Sequence, residues 1–450
     1  MVSVPRVVVA GTHSGVGKTT VATGLMAALA ARGLRVAPFK AGPDFIDPSY
    51  HALATGRPGR NLDAFLSGEE LVAPLFMHGA RGADVAVIEG VMGLFDGKSG
   101  GGELASTAQV AKLLGAPVLL VVDAGAMARS AAAVVHGYAT FDRELRVAGV
   151  VLNRVGSAGH ERMLREALAP LGIPVLGALR REPGISAPDR HLGLVPVAER
   201  PEEARRATAA LGEIVRRELD LEGALRLARS AGPLRAEAWE PGEALEAGPP
   251  ARVAVAGGAA FSFLYPENLE LMEAAGAEVL RFDPTLDTAL PEGADALYLG
   301  GGFPETYAGE LAANEPLKRE VRKFACGGRP VVAECGGLLY LCRELDGAAM
   351  CGVLEARARM TERLTLGYRE ARAATPSVLA AAGGQVRGHE FHYSAVEPGC
   401  GARPAWEFPE TGRAEGFVSG GVHASYLHTH WAAFPELPRR LVRAAAGVRV

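Results

Sequence analysis

Short apolar runs alternate with longer helix-like stretches through the first half of the chain. The runs are rich in Val, Ile or Leu and occupy residues 6–10, 85–89, 118–123, 147–153 and 174–178. Between them, stretches such as 19–32 and 107–114 are typical of helices. Continuous apolar strands separated by helices predict a parallel sheet that helices cover on both faces.

The same alternation resumes in the second half after an interruption. Residues 201–230, with alternating charges and Ala or Leu, predict a helix, whereas residues 231–250 are rich in Pro, Gly, Glu and Ala and lack a periodic apolar pattern. New strands are predicted at 252–256, 297–299 and 330–334, and a helix at 266–275. We therefore predict two α/β domains, residues 1–230 and 251–450, joined by a linker at 231–250.

Composition narrows the class of protein. The 450 residues are 48% hydrophobic and 22% charged, which is typical of a well-packed globular chain. A formal net charge of −4 argues against a basic surface for nucleic acid or for an anionic membrane, and we expect no apolar run of membrane-spanning length. Five cysteines without a C-x-x-C pair argue against a disulfide framework or a zinc site. The chain enters a strand directly after Met1, so we expect no signal peptide and a cytoplasmic protein.

A glycine-rich loop follows the first predicted strand and runs Gly11-Thr-His-Ser-Gly-Val-Gly-Lys-Thr-Thr. Such a loop before a helix turns backbone N–H groups toward phosphate oxygens, and here we assign this role to Gly15 and Gly17. Lys18 then reaches the terminal phosphates, and Thr19, followed by Thr20, supplies a hydroxyl for Mg²⁺. The first glycine stands one residue earlier than in the strict pattern. An ordinary turn explains neither Lys18 nor its position.

Three further segments are predicted to converge on this loop. Lys40 precedes two carboxylates, Asp44 and Asp47, which suit substrate placement and metal ligation, or else form Asx-turns and cap a helix. Glu89 ends an apolar strand, where it either holds the metal or caps the next turn. Asn153 ends another strand and either contacts the nucleotide base or is a plain loop residue.

A second candidate site lies in the other half. A strand at 330–334 is followed by Cys335, two glycines and a helical run, which is the layout of a nucleophile elbow with sulfur in place of oxygen. The turn exposes the thiol, and the N-terminus of the next helix is expected to lower its pKa. The other four cysteines are interpreted as structural.

His428 is the predicted general base for this thiol, because a thiol–imidazole pair needs closeness in space and not in sequence. Packing in the core or exposure on the surface is the alternative for this histidine. The loop at 300–302, together with the residue after the cysteine, is expected to supply oxyanion-binding N–H groups from Gly301, Gly302 and Gly336.

Each half then resembles a known family. The first half is similar to the dethiobiotin synthetase-like ATPases, whose loop also runs Gly-Thr-x-x-x-Val-Gly-Lys-Thr, and the second half resembles class I glutamine amidotransferase domains. Together, in this order, they resemble the cobyrinate/hydrogenobyrinate a,c-diamide synthases of cobalamin biosynthesis. The motifs are Lys40-Ala-Gly-Pro-Asp-Phe-Ile-Asp-Pro, Glu89-Gly-Val-Met-Gly-Leu-Phe-Asp-Gly97, Arg190-His-Leu-Gly-Leu-Val-Pro196, Tyr265-Pro-Glu-Asn-Leu-Glu, Glu334-Cys-Gly-Gly, Gly388-His-Glu-Phe-His-Tyr-Ser394 and Ser425-Tyr-Leu-His-Thr-His-Trp.

The resemblance implies two doubly wound α/β domains, an N-terminal P-loop NTPase-like parallel sheet and a C-terminal flavodoxin-like amidotransferase domain. It also implies a ligase that uses Mg²⁺, ATP and L-glutamine to amidate the a and c acetates of a corrin through acyl phosphates. Cobyrinate is the expected acceptor, with hydrogenobyrinate or another carboxylated tetrapyrrole as the alternative. Catalytic roles are expected for Cys335, His428, Asp44 and Asp47, and a homodimer is the expected assembly.

Two positions depart from the amidotransferase pattern. His430 stands where many class I enzymes have a Glu that orients the catalytic histidine, and Ala333 replaces a glycine two residues before the cysteine. The first departure keeps open a scaffold or regulator with a decayed amidotransferase domain, although Lys18, Cys335 and His428 argue against decay. A partitioning-type ATPase would carry a second lysine early in its loop, and cobyric acid synthases fit the motifs less well.

Overall fold

The computed structural model describes residues 4–180, 189–190, 193–243, 245 and 248–448. At 189–190 and 193–194 it describes the backbone only. His191 and Leu192 of the Arg190–Pro196 motif, and residues 244, 246 and 247 of the predicted linker, lie outside the described residues. The chain divides into two compact units, residues 1–239 and 240–450.

The first unit is built mainly on parallel strands with buried apolar residues. Its strands are β1 (Arg6–Gly11), β2 (Val36–Ala41), β3 (Arg60–Leu62), β4 (Val85–Glu89), β5 (Val118–Asp123), β6 (Val147–Val155), β7 (Val175–Arg180), β8 (Asp189–Arg190) and β9 (Gly193–Leu194). Within the described ranges, seven of them form one parallel sheet in the order β3-β2-β4-β1-β5-β6-β7. The predicted parallel sheet is thus confirmed.

Helices connect these strands and cover the sheet. They are α1 (Lys18–Ala31), α2 (Asp47–Thr55), α3 (Ala64–Ser67), α4 (Glu69–Gly79), α5 (Thr107–Leu113), α6 (Ser130–Thr140), α7 (Ala158–Leu168), α8 (Pro201–Glu218) and α9 (Leu221–Arg229). The helical structure predicted over 201–230 is confirmed, but as two helices, because the chain breaks between α8 and α9. Leu219 is extended and bridges to Gly177, and the Asp220 carboxylate accepts the N–H of Gly223, which starts a new helix.

The stretch predicted as a linker begins as part of the first unit. The Arg6 guanidinium donates to the Gly232 carbonyl at 2.7 Å, and the Trp239 N–H donates to the Pro74 carbonyl at 3.0 Å. The Trp239 indole also packs edge-on against His78. Residues 231–239 are therefore fixed to this unit, and the boundary between the units falls inside the predicted linker.

The second unit contains two kinds of sheet. Its strands are β10 (Ala251–Ala256), β11 (Ala277–Phe282), β12 (Ala296–Leu299), β13 (Val331–Glu334), β14 (Glu344–Leu345), β15 (Ala348–Ala349), β16 (Arg357–Ala373), β17 (Gln385–Glu397), β18 (Trp406–Phe408), β19 (Arg413–Glu415), β20 (Phe417–Ser419), β21 (Val422–Ser425) and β22 (His428–Thr429). Its helices are α10 (Pro266–Ala274), α11 (Ala308–Ala313), α12 (Glu315–Cys326), α13 (Gly336–Leu341) and α14 (Glu436–Ala445).

In the described part of this unit, the order β11-β10-β12-β13-β21-β20 forms a sheet that is parallel except for its last strand. This sheet confirms the predicted α/β alternation. A second sheet follows the order β15-β14-β16-β17-β22 and is dominated by the long antiparallel pair β16–β17. The sequence did not predict this hairpin.

Strand register places the candidate residues at the carboxyl edges of the two parallel sheets. In the first unit, Glu89 lies beside β1 and pairs with Lys40 of β2, and Asn153 pairs with Asp123 of β5. In the second unit, Cys335 directly follows β13. Ligands of open α/β sheets bind at this edge. None of the described helices combines the length and the apolar composition that a membrane crossing requires.

Candidate active sites

The glycine-rich loop after β1 requires glycine at two places. A Cβ at Gly11 would overlap the side chains of Val16 and Lys18, because the loop folds back onto the end of β1. This close approach accounts for a glycine one residue earlier than the strict pattern has it. Gly17 precedes α1 with φ +101°, and a Cβ there would overlap the amide of Asn153.

Replacing Gly17 by alanine should weaken nucleotide binding about tenfold or more, since the overlap with Asn153 displaces the loop. The matched control is Gly33→Ala. Gly33 also has a positive φ, +83°, but has no atom within 4 Å of an added Cβ. Titration with a fluorescent ATP analogue measures the effect. Equal weakening in both variants would mean that backbone strain alone, and not the Asn153 contact, explains the loss.

Lys18 lies against its own loop. Its side chain is buried, and Nζ donates to the His13 carbonyl at 3.1 Å. Burial and, after it, the nearby Lys40 charge lower the Lys18 pKa to about 8, although the negative charges of Glu89 and Asp47 act in the opposite direction. An incoming phosphate would favour the charged form and strengthen the contact.

Lys40 is the centre of a buried ionic cluster. Its Nζ lies 2.6 Å from Asp47 Oδ2, 2.9 Å from Glu89 Oε1 and 3.2 Å from the Gly90 carbonyl. Burial alone would lower the Lys40 pKa, but the negative charges of Asp47, Glu89 and Asp44 raise it above its ordinary value. Lys40 therefore carries a fixed positive charge beside the phosphate loop.

Glu89 is fully enclosed and holds three polar partners. The Thr19 hydroxyl donates to Oε1 at 2.7 Å, and His51 Nε2 lies 2.6 Å from Oε2, in addition to the contact with Lys40. Burial would raise the Glu89 pKa, but Lys40 and His51 hold it below its ordinary value. The Asp47 pKa is raised by burial and by its carboxylate neighbours. Glu89 thus takes part in this cluster and does more than cap a turn.

Asp44 forms an Asx-turn, which was one of the two alternatives that the sequence left open. Its Oδ1 accepts the N–H of Ile46 at 2.7 Å and that of Asp47 at 3.1 Å, which is an Asx-turn at the start of α2. Its other oxygen lies 3.9 Å from Lys40 Nζ. A catalytic role for Asp44 stays a prediction.

Oxygen donors for Mg²⁺ meet in this cluster. The Thr19 hydroxyl lies 2.7 Å from Glu89 Oε1 and 3.5 Å from Asp47 Oδ2. Over the described ranges, no group of three or more His, Cys, Asp or Glu forms a metal cage. A nucleotide-bound Mg²⁺ needs only one or two carboxylates, since phosphates and water supply its other ligands. The donor set therefore fits the ion.

Two residues that were predicted to bind the nucleotide lie at the loop. A third residue there was not singled out from the sequence. Thr20 is partly exposed in the first turn of α1. Asn153 donates from Nδ2 to the Val16 carbonyl at 2.8 Å, so it holds the loop, and its contact with a base stays a prediction. Arg154, at φ +59°, donates to the Gly15 carbonyl at 2.8 Å. The polar pair Asn153-Arg154 near the end of β6 was the available signal for Arg154.

Cys335 occupies a strained elbow between β13 and α13. Its φ is +47°, which is unfavourable for a residue with a side chain. Its N–H donates to the Ser425 carbonyl at 2.8 Å, and a Cβ at Gly337 would overlap the Leu299 carbonyl. The predicted nucleophile elbow is therefore present in the backbone.

The expected low pKa of Cys335 is wrong for this structure. Burial raises the Cys335 pKa above its ordinary value, and the negative charges of Glu305 and Glu334 add to the effect. The Gly336 N–H opposes them, but α13 has only six residues. The resting group is a thiol, so activation requires a base.

The predicted oxyanion loop and histidine lie together at this elbow. A Cβ at Gly301 would overlap Cε1 of His428, and a Cβ at Gly336 would lie 3.0 Å from the Gly302 nitrogen. Gly302 has φ +153°, and an added Cβ would overlap a neighbouring carbonyl. Gly301, Gly302 and Gly336 thus lie close to one another at the elbow, and their role as oxyanion donors stays a prediction.

His428 is buried with a neutral imidazole. Burial lowers its pKa to about 3, assisted by His392. The next residue but one, His430, lies with its Nε2 3.4 Å from Glu267 Oε2. A neutral imidazole is able to accept the thiol proton of Cys335.

A buried network that the sequence did not predict connects the elbow to the histidine strand. The Thr429 hydroxyl donates to Glu334 Oε1 at 2.8 Å and accepts from Trp431 Nε1 at 2.8 Å. Asn268 Nδ2 donates to the Thr429 carbonyl at 2.9 Å, and the Tyr298 hydroxyl donates to Glu334 at 3.2 Å. Burial raises the Glu334 pKa to about 8. The residue before Cys335 and the residue after His428 are therefore held together.

Comparison with known proteins gives matches over both units. Residues 7–195 match the family described as CobQ/CobB/MinD/ParA nucleotide binding domain, and residues 252–436 match the CobB/CobQ-like glutamine amidotransferase domain. The hydrogenobyrinate a,c-diamide synthase of Streptomyces coelicolor is 59% identical over 98% of this chain and 97% of its own length. The enzyme of the same name from Thermobifida fusca is 53% identical over 99% of this chain and 98% of its own length.

A relative named for a different substrate is also similar. The cobyrinate a,c-diamide synthase of Syntrophotalea carbinolica is 45% identical over 98% of both chains. Among solved structures, PurLQS from Thermotoga maritima has a TM-score of 0.34 and 15% identity, over 44% of this chain and 98% of that one. That likeness is too slight to bear on function.

Proposed function

The chain belongs to the family of hydrogenobyrinate and cobyrinate a,c-diamide synthases, and from this we propose that it converts the a and c acetate carboxylates of a corrin into amides. It is an ATP-dependent ligase with glutamine as nitrogen donor. The observation that supports the proposal best is the presence, in one chain, of a phosphate loop beside the Lys40 cluster and a Cys335 elbow beside His428.

In the first unit, a corrin carboxylate oxygen attacks the γ-phosphorus of ATP, which gives an acyl phosphate and ADP. Lys18 stabilises the charge that develops on the terminal phosphate oxygens. The fixed charge of Lys40 holds Asp47 and Glu89 in place. When bound, Mg²⁺ held by Thr19, Asp47 and Glu89 would neutralise charge on the phosphates.

In the second unit, His428 accepts the proton of Cys335 as the sulfur attacks the side-chain amide carbon of glutamine. The N–H groups of Gly301, Gly302 and Gly336 stabilise the oxyanion. His428 then returns the proton to the leaving nitrogen, so that ammonia departs and a thioester remains. Water cleaves the thioester to glutamate, and ammonia displaces phosphate from the acyl phosphate to form the amide.

The cobalt-free acceptor, hydrogenobyrinate, is our first choice between the two corrins. The Streptomyces and Thermobifida relatives, named for that substrate, share 59% and 53% identity with the chain, whereas the Syntrophotalea relative named for cobyrinate shares 45%. This ordering reverses the preference drawn from the sequence alone.

Paired reactions with Mg-ATP and glutamine test this choice. We expect mass spectrometry to show stepwise addition of two amides to hydrogenobyrinic acid at a higher kcat/KM than to cobyrinic acid. The opposite order would reverse the substrate choice and keep the reaction. Amidation of neither acid, with ATP hydrolysis intact, would point to a different carboxylated acceptor and end the a,c-diamide proposal.

We also retain three proposals from composition: a cytoplasmic enzyme, a homodimer, and no nucleic-acid or membrane partner. The net charge of −4 argues against a nucleic-acid or anionic-membrane partner, and the five cysteines, unpaired in the described structure, fit a reducing compartment. The homodimer rests on the general prevalence of two-fold symmetric assemblies. Light scattering of the purified full chain measures the assembly directly.

A further inference from the structure

His428 has a second histidine as its direct neighbour. His389 of β17 and His428 of β22 are opposite each other in the antiparallel register. Their imidazoles are stacked with ring centroids 4.9 Å apart and an angle of 15° between the planes. Opposite residues of two paired strands present their side chains on the same face, so this contact follows from the register.

The His389 ring is itself fixed. The Tyr265 hydroxyl and His389 Nε2 share a hydrogen bond of 2.9 Å, and both side chains are buried. Tyr265 lies at the start of α10, and its ring also packs on His430 at 4.8 Å between centroids. Burial holds the pKa of His389 well below its ordinary value, and that of His428 to about 3, so two neutral rings are stacked.

The neighbouring carboxylate on β17 is engaged elsewhere. Glu390 follows His389, so its side chain projects to the other face of the strand. It accepts from Arg369 Nε at 2.6 Å and from Arg413 at 2.7 Å on both oxygens. These two guanidinium groups compensate its charge.

We propose that His389, held by Tyr265, is a positioning residue that sets the plane of the His428 imidazole for proton transfer with Cys335. In a catalytic triad, a carboxylate orients the histidine. In this chain His430 stands at the position of that acid, and the stacked His389 ring takes over the orienting role. The proposal rests on the glutaminase half of the proposed function.

Three variants separate ring packing from simple stability. His389→Ala should lower kcat for glutamine-dependent glutamate release about tenfold or more, because a catalytic group misplaced by 1 Å costs up to about a hundredfold. The KM for glutamine should stay within about twofold, since His389 acts only through His428. His389→Phe keeps a stacking ring and should recover most of the lost kcat. Tyr265→Phe should give an intermediate loss.

The matched control is His423→Ala. His423 is an equally buried histidine of the same unit that bonds Ser377 and packs on Trp406. It should lower the melting temperature as much as His389→Ala and leave kcat within about twofold. Amidation driven by added ammonium should be unchanged in every variant, which reports on the ligase half separately.

An unchanged kcat in His389→Ala, or a loss confined to KM, would overturn the proposal. So would a His389→Phe variant as slow as His389→Ala while both melt no lower than His423→Ala, because stacking would then not be the cause. Failure of ammonium-driven amidation in the wild type would instead count against the proposed ligase function, and glutamate release would still decide the role of His389.

Discussion

Lys18→Ala is expected to reduce ATP turnover about a thousandfold, a loss of the size that follows removal of a cation from the transferring phosphoryl group. Lys18 is the side chain that we propose reaches the terminal phosphates, and its Nζ donates to the His13 carbonyl of the same loop at 3.1 Å. Glutamate release from glutamine should persist, because Cys335 and His428 belong to the other unit. Phosphate release and glutamate release are measured in parallel.

Stability provides the check on this result. Burial lowers the Lys18 pKa, so the unfolded chain binds this proton more readily than the folded one and the charge disfavours folding. Lys18→Ala should therefore not lower the melting temperature. The control is Lys112→Ala, which removes a lysine paired with Glu103 and Asp142 away from the loop and should leave ATP turnover unchanged. ATP turnover unaffected by Lys18→Ala would end the phosphate-loop assignment.

The first sheet was predictable because its strands are buried on both faces. Such strands are uninterrupted apolar runs, and the predicted limits of β4 and β5 match the observed Val85–Glu89 and Val118–Asp123. Since parallel strands end at one edge, the polar residues after them were expected to meet, and Lys40, Glu89 and Asn153 lie at that edge.

The β16–β17 hairpin was not predictable for the opposite reason. Much of β16 is partly exposed, with arginines interspersed among small and apolar residues, so neither an apolar run nor a clean alternation marks it. Its register also shifts between Met360 and Thr365. Antiparallel pairing over this length is set by tertiary contacts, which a local pattern does not contain.

Some contacts within the two candidate sites could be predicted from local sequence spacing, and others could not. His51 lies four residues after Asp47 on α2, a spacing that puts both on one helix face, so its place beside Glu89 could have been inferred from the sequence. The bond between Tyr265 and His389 joins residues 124 positions apart, and no local signal predicts it. The raised pKa of Cys335 likewise depends on burial that the elbow motif does not specify.

Cys335→Ala should abolish glutamine-dependent amidation, by about 10⁴-fold or more, and leave ammonium-dependent amidation at the wild-type rate. The elbow is strained at φ +47° only at this residue, and alanine keeps a Cβ in the same turn, so the fold of the unit should be preserved. The control is Cys342→Ala, which removes another buried thiol, one that donates to the Leu338 carbonyl. That variant should retain both activities.

Comparing glutamine with ammonium as the nitrogen source shows which of the two reactions depends on Cys335. Because the pKa of the Cys335 thiol is raised, its attack depends on His428, and removal of the sulfur leaves no nucleophile for the glutamine amide. Added ammonia bypasses this step and reaches the acyl phosphate by the ligase chemistry alone. Loss of both activities in a variant that still melts like the wild type would mean that Cys335 serves the ligase reaction or its substrate site. Retention of the glutamine-dependent rate would assign the nucleophile to another residue.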